Sequence, residues 1–352
     1  MPPPPARRTR VGLVGYGGAG RAFHAPLITA AGLDLVAVAT SSAERAAQVR
    51  ADHPGADVVP DLAALLAGPA LDLVIIASPT GAHVGQAAQV AGAGLAAVVD
   101  KPLAVDAAGA LEACDVAAQA GAALTVFQNR RYDPEFRTLQ SVLASGVLGT
   151  VVRAELRWER WRPVPKDRWR ENAPADQGGG ILLDLFSHLV DQAVILFGAV
   201  RTAYAELAAH TTTAEDTAFV SCRHSSGVIS HLGATTVSAA PGPRVRVLGE
   251  QAAFVLGAQH DEQTAFTEFL PADAEHIGWL VRGDEREPVI AQPGDQADFY
   301  REVAAALVAA DPQKAMPVDP RDAVHVLAVI DAARVSAATG QVVDVITPGE
   351  AP

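Results

Sequence analysis

Residues Gly15-Tyr16-Gly17-Gly18-Ala19-Gly20 constrain this chain more than any other segment. They fit the pattern G-x-G-x-x-G. The apolar run Val11-Gly12-Leu13-Val14 precedes them, and a helix-forming stretch that stops near Gly32 follows. In a strand–loop–helix unit each glycine has its own task. The first permits a tight turn, the second lets the backbone approach a pyrophosphate, and the third lets the helix pack close to the strand. The pyrophosphate then sits on the free N–H groups at the helix N-terminus. Tyr16, Gly18 and Ala19 share the loop and hence the expected dinucleotide site. The competing reading is a glycine-rich turn without a nucleotide, in a chain with 30 glycines.

The segments that follow repeat the alternation. Apolar strands are predicted at 33–39, 71–77, 95–99 and 122–127, with helices after Ser42, over about 80–93 and over about 106–120. Continuous apolar strands between helices describe a parallel sheet covered on both faces. We expect a disordered lead-in over 1–9 and a doubly wound Rossmann domain over 10–128. The regularity breaks at Gln128-Asn129-Arg130-Arg131. Beyond it, strands are expected at 149–160, 200–208, 216–223, 227–236, 244–249 and 252–256, with a helix from Gly180 to about Phe197. Strands without intervening helices suggest a large, open, mostly antiparallel sheet in an α+β domain over 129–352. Its closing helices, near 296–310 and 320–338, are expected to pack back toward the Rossmann domain.

Composition narrows the partners. Hydrophobic residues make up 49% and charged residues 19%, a globular balance. A net charge of −13 disfavours nucleic acid and anionic membrane surfaces. Cys114 and Cys222 lie in no disulfide-framework or metal-binding spacing, and His210, His224, His231 and His260 are scattered, so no metal is expected. No apolar run is long enough to span a bilayer, and the first residues lack the apolar core of a signal peptide. The expected compartment is the cytoplasm.

Three positions carry the chemistry. A carboxylate usually closes the second strand of an NAD site, about 20 residues beyond the loop, to hold the ribose diol. Here the strand ends in Thr40-Ser41-Ser42-Ala43-Glu44-Arg45. Hydroxyls and an arginine suit a 2′-phosphate, so NADP is expected over NAD. Against this, Ser41 or Ser42 is a good helix cap and Glu44 can reach around to the ribose. Lys101, within Asp100-Lys101-Pro102, ends the fourth strand of this reading, where parallel sheets face their ligands. The bland reading is a surface lysine beside a turn proline. Asp184 and His188 are four apart on one predicted helix face that is otherwise apolar. A charged pair there is costly unless used, although a satisfied core histidine is the alternative.

Together these residues resemble the Gfo/Idh/MocA oxidoreductases, which include inositol dehydrogenases and glucose–fructose oxidoreductase. The resemblance covers nearly the whole chain: GYGGAGRAFHAPL, SPTGAHVGQAAQVAGAGLAAVVDKPLA, FQNRRYDPEF, GGGILLDLFSHLVDQAVILFG and SAATGQVVDV. FQNRRYDPEF and RWERWRPVPKDRWRE look most like the branch with NADP-dependent scyllo-inositol dehydrogenases.

The resemblance implies hydride transfer between a nicotinamide and a secondary alcohol or ketone of a sugar, cyclitol or similar polyol. Lys101 matches the lysine that contacts the reacting hydroxyl and the nicotinamide. Asp184 and His188 match the helical Asp and His, with the histidine as general acid/base. Ser78, Pro79, Thr80 and His83 match a loop that lies against the cofactor's ribose and pyrophosphate, or form a plain helix cap with His83 exposed. Asn129, Arg130 and Arg131 can bind polyol hydroxyls, and Trp161, Arg168, Trp169 and Arg170 can wall a sugar pocket. An interdomain salt bridge from Arg130 or Arg131, and a solvated loop around Trp161, are the competing readings. Asp191, three residues past His188, either orients it or accepts a hydrogen bond elsewhere. Two departures stand out: Asp100 replaces a glutamate, and Phe186 replaces a common glycine and is expected to narrow or reshape the pocket beside Ser187. Homo-oligomers built on the open sheet face are implied. A same-fold enzyme that uses the cofactor transiently to break a glycoside, and a non-catalytic NAD(P)-sensing regulator, are the alternatives.

Overall fold

The computed structural model describes residues 7–258, 264 and 266–349. His260 and most of the N-terminal lead-in lie outside them. The chain divides into two compact units. The first takes in the chain up to Ala104, Ala108–Asn129 and Gln296–Ala323; the second takes in Val105–Ala107, Arg130–Asp295 and the chain from Val324 on. Residues 296–323 therefore join the first unit, although they lie far along the chain.

The first unit holds six parallel strands: β1 (Arg10–Val14), β2 (Asp34–Ala39), β3 (Asp57–Val59), β4 (Leu73–Ile76), β5 (Ala96–Asp100) and β6 (Leu124–Phe127). Their order is β3-β2-β1-β4-β5-β6. The order reverses between β1 and β4, and ligands of such sheets bind outside the strand C-termini at that point. Leu73, Val74, Ile75 and Ile76 have no exposed surface, because helices cover both faces. The short edge strand β3 and the helix Leu62–Leu66 were not anticipated. Only two apolar residues, Val58 and Val59, mark that strand, and both are half-exposed.

The second unit is built on nine strands: β7 (Val151–Glu159), β8 (Val200–Ala208), β9 (Thr217–His224), β10 (Ile229–Thr235), β11 (Val245–Gly249), β12 (Ala253–Leu256), β13 (His276–Arg282), β14 (Glu285–Ile290) and β15 (Val343–Asp344). Their order is β14-β13-β12-β11-β7-β10-β9-β8-β15, antiparallel except for the parallel β7–β10 pair. Along β7, Ala154, Leu156 and Trp158 face inward, and the helix Ser187–Phe197 packs against β7 and β10. Phe219, Arg153 and Arg157 remain accessible. Strand β14 lies at the sheet edge and, with Glu285, Arg286 and Glu287, carries no apolar alternation, whereas β13 lies one strand further in and carries the apolar run Trp279-Leu280-Val281, which the expected strands do not include.

Candidate active site

The glycine loop leaves β1 at the switch point of the first sheet. Gly15 has φ +92°, and a Cβ there would stand 2.6 Å from the Ala77 carbonyl oxygen. A Cβ on Gly20 would stand 2.1 Å from the Gly15 carbonyl oxygen. Those two glycines are needed by the fold itself. Gly17 differs: a Cβ would meet only the Arg45 guanidinium, 3.8 Å away, and Gly18 has nothing within 4 Å. The open side of Gly17 is thus a cradle bounded by a cation, which fits the phosphates of a dinucleotide. Tyr16 turns its buried ring away from that side. Its hydroxyl donates to Asp52 at 3.0 Å, and Arg21 donates to the same carboxylate at 2.7 Å. Burial and then Asp52 push the Tyr16 hydroxyl up to about 12, so the phenol stays protonated and engaged with Asp52.

At the tip of β2, Ser42 Oγ accepts from the Arg45 amide at 3.3 Å, which is the capping role. Glu44 is committed to Gln48, whose side-chain amide donates to it at 3.2 Å. Thr40, Ser41, Ser42 and Arg50 line a cleft of about 240 Å³ whose other walls include Val59 and Pro60. Arg50 was missed by sequence reasoning; the available signal was its position on the same helix as Arg45.

The loops after β4 and β5 are tied together. His83 is buried, not exposed, with Nδ1 2.9 Å from the Pro102 carbonyl and Nε2 2.9 Å from the Ser78 carbonyl. Its ring braces the two loops. Ser78 Oγ donates to Gln86 at 2.6 Å, and Thr80 is buried behind Pro79. Lys101 follows β5, half-buried, with a cis peptide bond to Pro102. Its amide donates to the Asp100 carboxylate at 2.9 Å. The glycine loop, the Ser78 loop and Lys101 all lie at strand C-termini of one sheet. In this unit Asn129 donates to Gln296 at 2.9 Å, so its amide has a protein partner.

In the second unit, Asp184 and His188 are not on one regular helix. Asp184 belongs to a π-helical turn, Leu182–Phe186, and His188 to the helix Ser187–Phe197. Such wide turns recur at functional sites because they redirect side chains. Asp184 keeps a partly exposed carboxylate 3.4 Å from Arg170. Phe186 has no exposed surface and packs in the core beside the buried Ser187. Glu215 supports this turn from below: it accepts from the Leu182 amide at 3.2 Å, and burial raises its carboxyl above the ordinary range.

His188 is 6% exposed and lies 5.9 Å from the Trp158 ring. Guanidinium groups of Arg130, Arg244 and Arg160 cover that indole at 4.7, 4.7 and 5.1 Å. Trp158, Arg160 and Arg244 were missed. The signal was the alternation of residues 158 and 160 on one side of a strand. Arg130 also donates to Asp133 at 2.8 Å. Arg131 forms a two-pronged pair with Asp191, at 2.9 and 2.5 Å, so Asp191 anchors that arginine. Both ends lie within the second unit, which corrects the interdomain reading of that arginine. Trp161 is 58% exposed, Arg168 pairs with Glu171, and Trp169 stacks with Arg170. Trp169 thereby adjoins the Asp184 partner, whereas Trp161 stands at the surface. Among the described residues no cluster of His, Cys, Asp or Glu could hold a metal, and no helix is long and apolar enough to cross a membrane.

A strand order of this kind, with a cradle at Gly17 and a lysine at the end of β5, defines an oxidoreductase that binds a nicotinamide dinucleotide. Residues 9–128 match the model for the oxidoreductase family NAD-binding Rossmann fold, and residues 136–255 match the GFO/IDH/MocA C-terminal domain. The chain belongs to the Gfo/Idh/MocA oxidoreductase family. It is 36% identical over 336 residues to the uncharacterized oxidoreductase YdgJ of Escherichia coli K12, covering 92% of this chain and 94% of that one. It is 29% identical over 337 residues to the scyllo-inositol 2-dehydrogenase (NADP(+)) IolW of Bacillus subtilis 168, covering 92% of each. The solved YPO2259 putative oxidoreductase of Yersinia pestis superposes with a TM-score of 0.83 at 32% identity, covering 97% and 98% of the two chains.

Proposed function

We propose that this enzyme is an NADP-preferring dehydrogenase or reductase acting on a secondary alcohol or ketone of a cyclitol, sugar or similar polyol. The observation that carries the cofactor choice is the Arg45 guanidinium beside Gly17, at a strand tip with no free carboxylate. IolW, named as NADP-dependent and as a scyllo-inositol dehydrogenase, supports the same reading. When bound, the nicotinamide supplies or accepts the hydride. His188 takes the hydroxyl proton in oxidation and returns it in reduction, a task suited to imidazole near neutral pH. Lys101 hydrogen-bonds the oxygen where charge develops, and Asp184 orients the polyol. Asn129, Arg130, Trp161, Arg168 and Trp169 remain our candidates for substrate contacts. The open face of the nine-stranded sheet is our candidate surface for a homo-oligomer.

The test is a panel of inositols, polyols and aldoses with NADP and NAD, read at the nicotinamide absorbance. Turnover of a polyol is expected, abolished in His188→Ala and Lys101→Met with cofactor binding retained. Arg45→Ala should raise KM for NADP by about 10- to 100-fold, the loss of one charge-assisted contact, and KM for NAD by a clearly smaller factor, because the guanidinium also borders the Gly17 cradle that both cofactors use. A wild-type preference for NAD, or a His188→Ala enzyme with full turnover, refutes the respective assignment.

A further inference from the structure

We propose that His24 and Tyr300 are positioning residues for Lys101, acting through Asp100. The inference rests on the role proposed above for Lys101. His24 follows the glycine loop and is an ordinary helix-entry residue by sequence, yet its ring has no exposed surface. Its Nδ1 lies 2.5 Å from the Tyr300 hydroxyl, and its Nε2 lies 3.6 Å from Asp100 Oδ1. The same Asp100 oxygen accepts the Lys101 amide at 2.9 Å. Phe127 closes one side of the ring at 4.4 Å between centroids and stacks on Tyr300 at 5.5 Å.

The chemistry gives this line a direction. Tyr300 is fully buried, so its hydroxyl hydrogen needs an acceptor. Burial, then the charge of Asp100, holds the phenol far above its ordinary pKa, so it stays a donor. His24 Nδ1 is the acceptor at hydrogen-bond distance. The imidazole proton then resides on Nε2, facing the Asp100 carboxylate. The opposite tautomer would set a nitrogen lone pair against that carboxylate and strand the phenol hydrogen. The phenol hydrogen therefore goes to His24, whose Nε2–H faces Asp100 across 3.6 Å, a buried charge–dipole contact longer than a hydrogen bond, and the same carboxylate receives the Lys101 backbone amide. A carboxylate held from behind keeps the peptide carrying Lys101 in one orientation at the end of β5. Freeing it widens the arc over which the ammonium points, and small misplacements of a reacting group cost rate rather than binding.

The experiment joins a spectroscopic and a kinetic readout on the full chain. Nitrogen-15 NMR of histidine-labelled protein near neutral pH should show His24 with its proton on Nε2, and Tyr300→Phe should erode that tautomer. Tyr300→Phe removes one oxygen and keeps the ring. It should lower kcat on the order of tenfold with KM for the cofactor unchanged. His24→Gln, which keeps an N–H near the Nε2 position, should recover most of the kcat lost in His24→Leu. A proton on Nδ1, or full kcat in Tyr300→Phe, overturns the proposal. Lys101→Met with full turnover refutes the Lys101 role itself while leaving the tautomer result standing, so the two failures are distinguishable.

Discussion

The glycine loop separates fold from function within six residues, and two alanine substitutions expose the difference. In Gly20→Ala the new methyl would stand 2.1 Å from the Gly15 carbonyl oxygen. An ordinary contact needs about 3.4 Å or more, so the helix must retreat by more than an ångström from the strand it packs on. Overpacking of this kind costs about 1–3 kcal/mol, which in a unit of this size lowers the melting temperature by about 3–9 °C. In Gly17→Ala the methyl finds only the Arg45 guanidinium at 3.8 Å, an ordinary contact. Stability should stay within about 0.5 kcal/mol of wild type. The methyl nevertheless occupies the side on which a pyrophosphate must approach, so cofactor affinity should fall at least tenfold, about 1.4 kcal/mol. Differential scanning fluorimetry without ligand reads the first effect, and calorimetric titration with NADPH reads the second. Equal destabilisation by the two variants, or wild-type NADPH affinity in Gly17→Ala, refutes the division of labour.

Two further outcomes follow from buried titratable groups. Burial alone would raise the Asp216 carboxyl, but hydrogen bonds from the His210 and Thr211 amides and the Thr211 hydroxyl outweigh it and hold the pKa below the ordinary value. A carboxylate with a depressed folded pKa stabilises above its unfolded pKa of about 3.9 and loses that contribution as pH falls through the folded value. Asp216→Asn should therefore cost about 2 kcal/mol at pH 7 in urea unfolding, with the gap to wild type closing as pH falls below the unfolded value and through the depressed folded one; a gap constant over that fall refutes the assignment. Burial pushes the Cys114 and Cys222 thiols up to about 12. Neither should react with a thiol reagent at pH 8 in the folded chain, whereas both should react in denaturant; prompt labelling of the native protein contradicts it.

Much of the first unit was legible because its signals are local. Apolar runs mark buried strands one at a time, and the glycine spacing marks the turn after β1. Strand β14 is a charged edge strand with no local signal, whereas the helix Pro134–Ala144, which starts at Asp133-Pro134-Glu135, and strand β13, with Trp279-Leu280-Val281, carry local signals that the expected elements leave out. The Asp184–His188 pair was read as two residues on one helical face. The π-helical turn at Leu182–Phe186 has no local compositional signature, and the Glu215 carboxylate that accepts from its Leu182 amide comes from a distant loop. The arginines around Trp158 come from three separate segments, and only one of the three was singled out beforehand.

By itself the sequence determined which backbone positions must lack a side chain, where the buried strands run and which residues end them. Those properties depend on neighbours a few positions away. The tertiary structure decided that Arg45 guards Gly17, that His83 braces the Ser78 and Pro102 loops, and that His24 meets a tyrosine 276 residues further along the chain. Strands of nearly interchangeable Val, Ala and Leu do not encode their order in the sheet, and that order sets which strand tips, and hence which polar side chains, come within reach of one another.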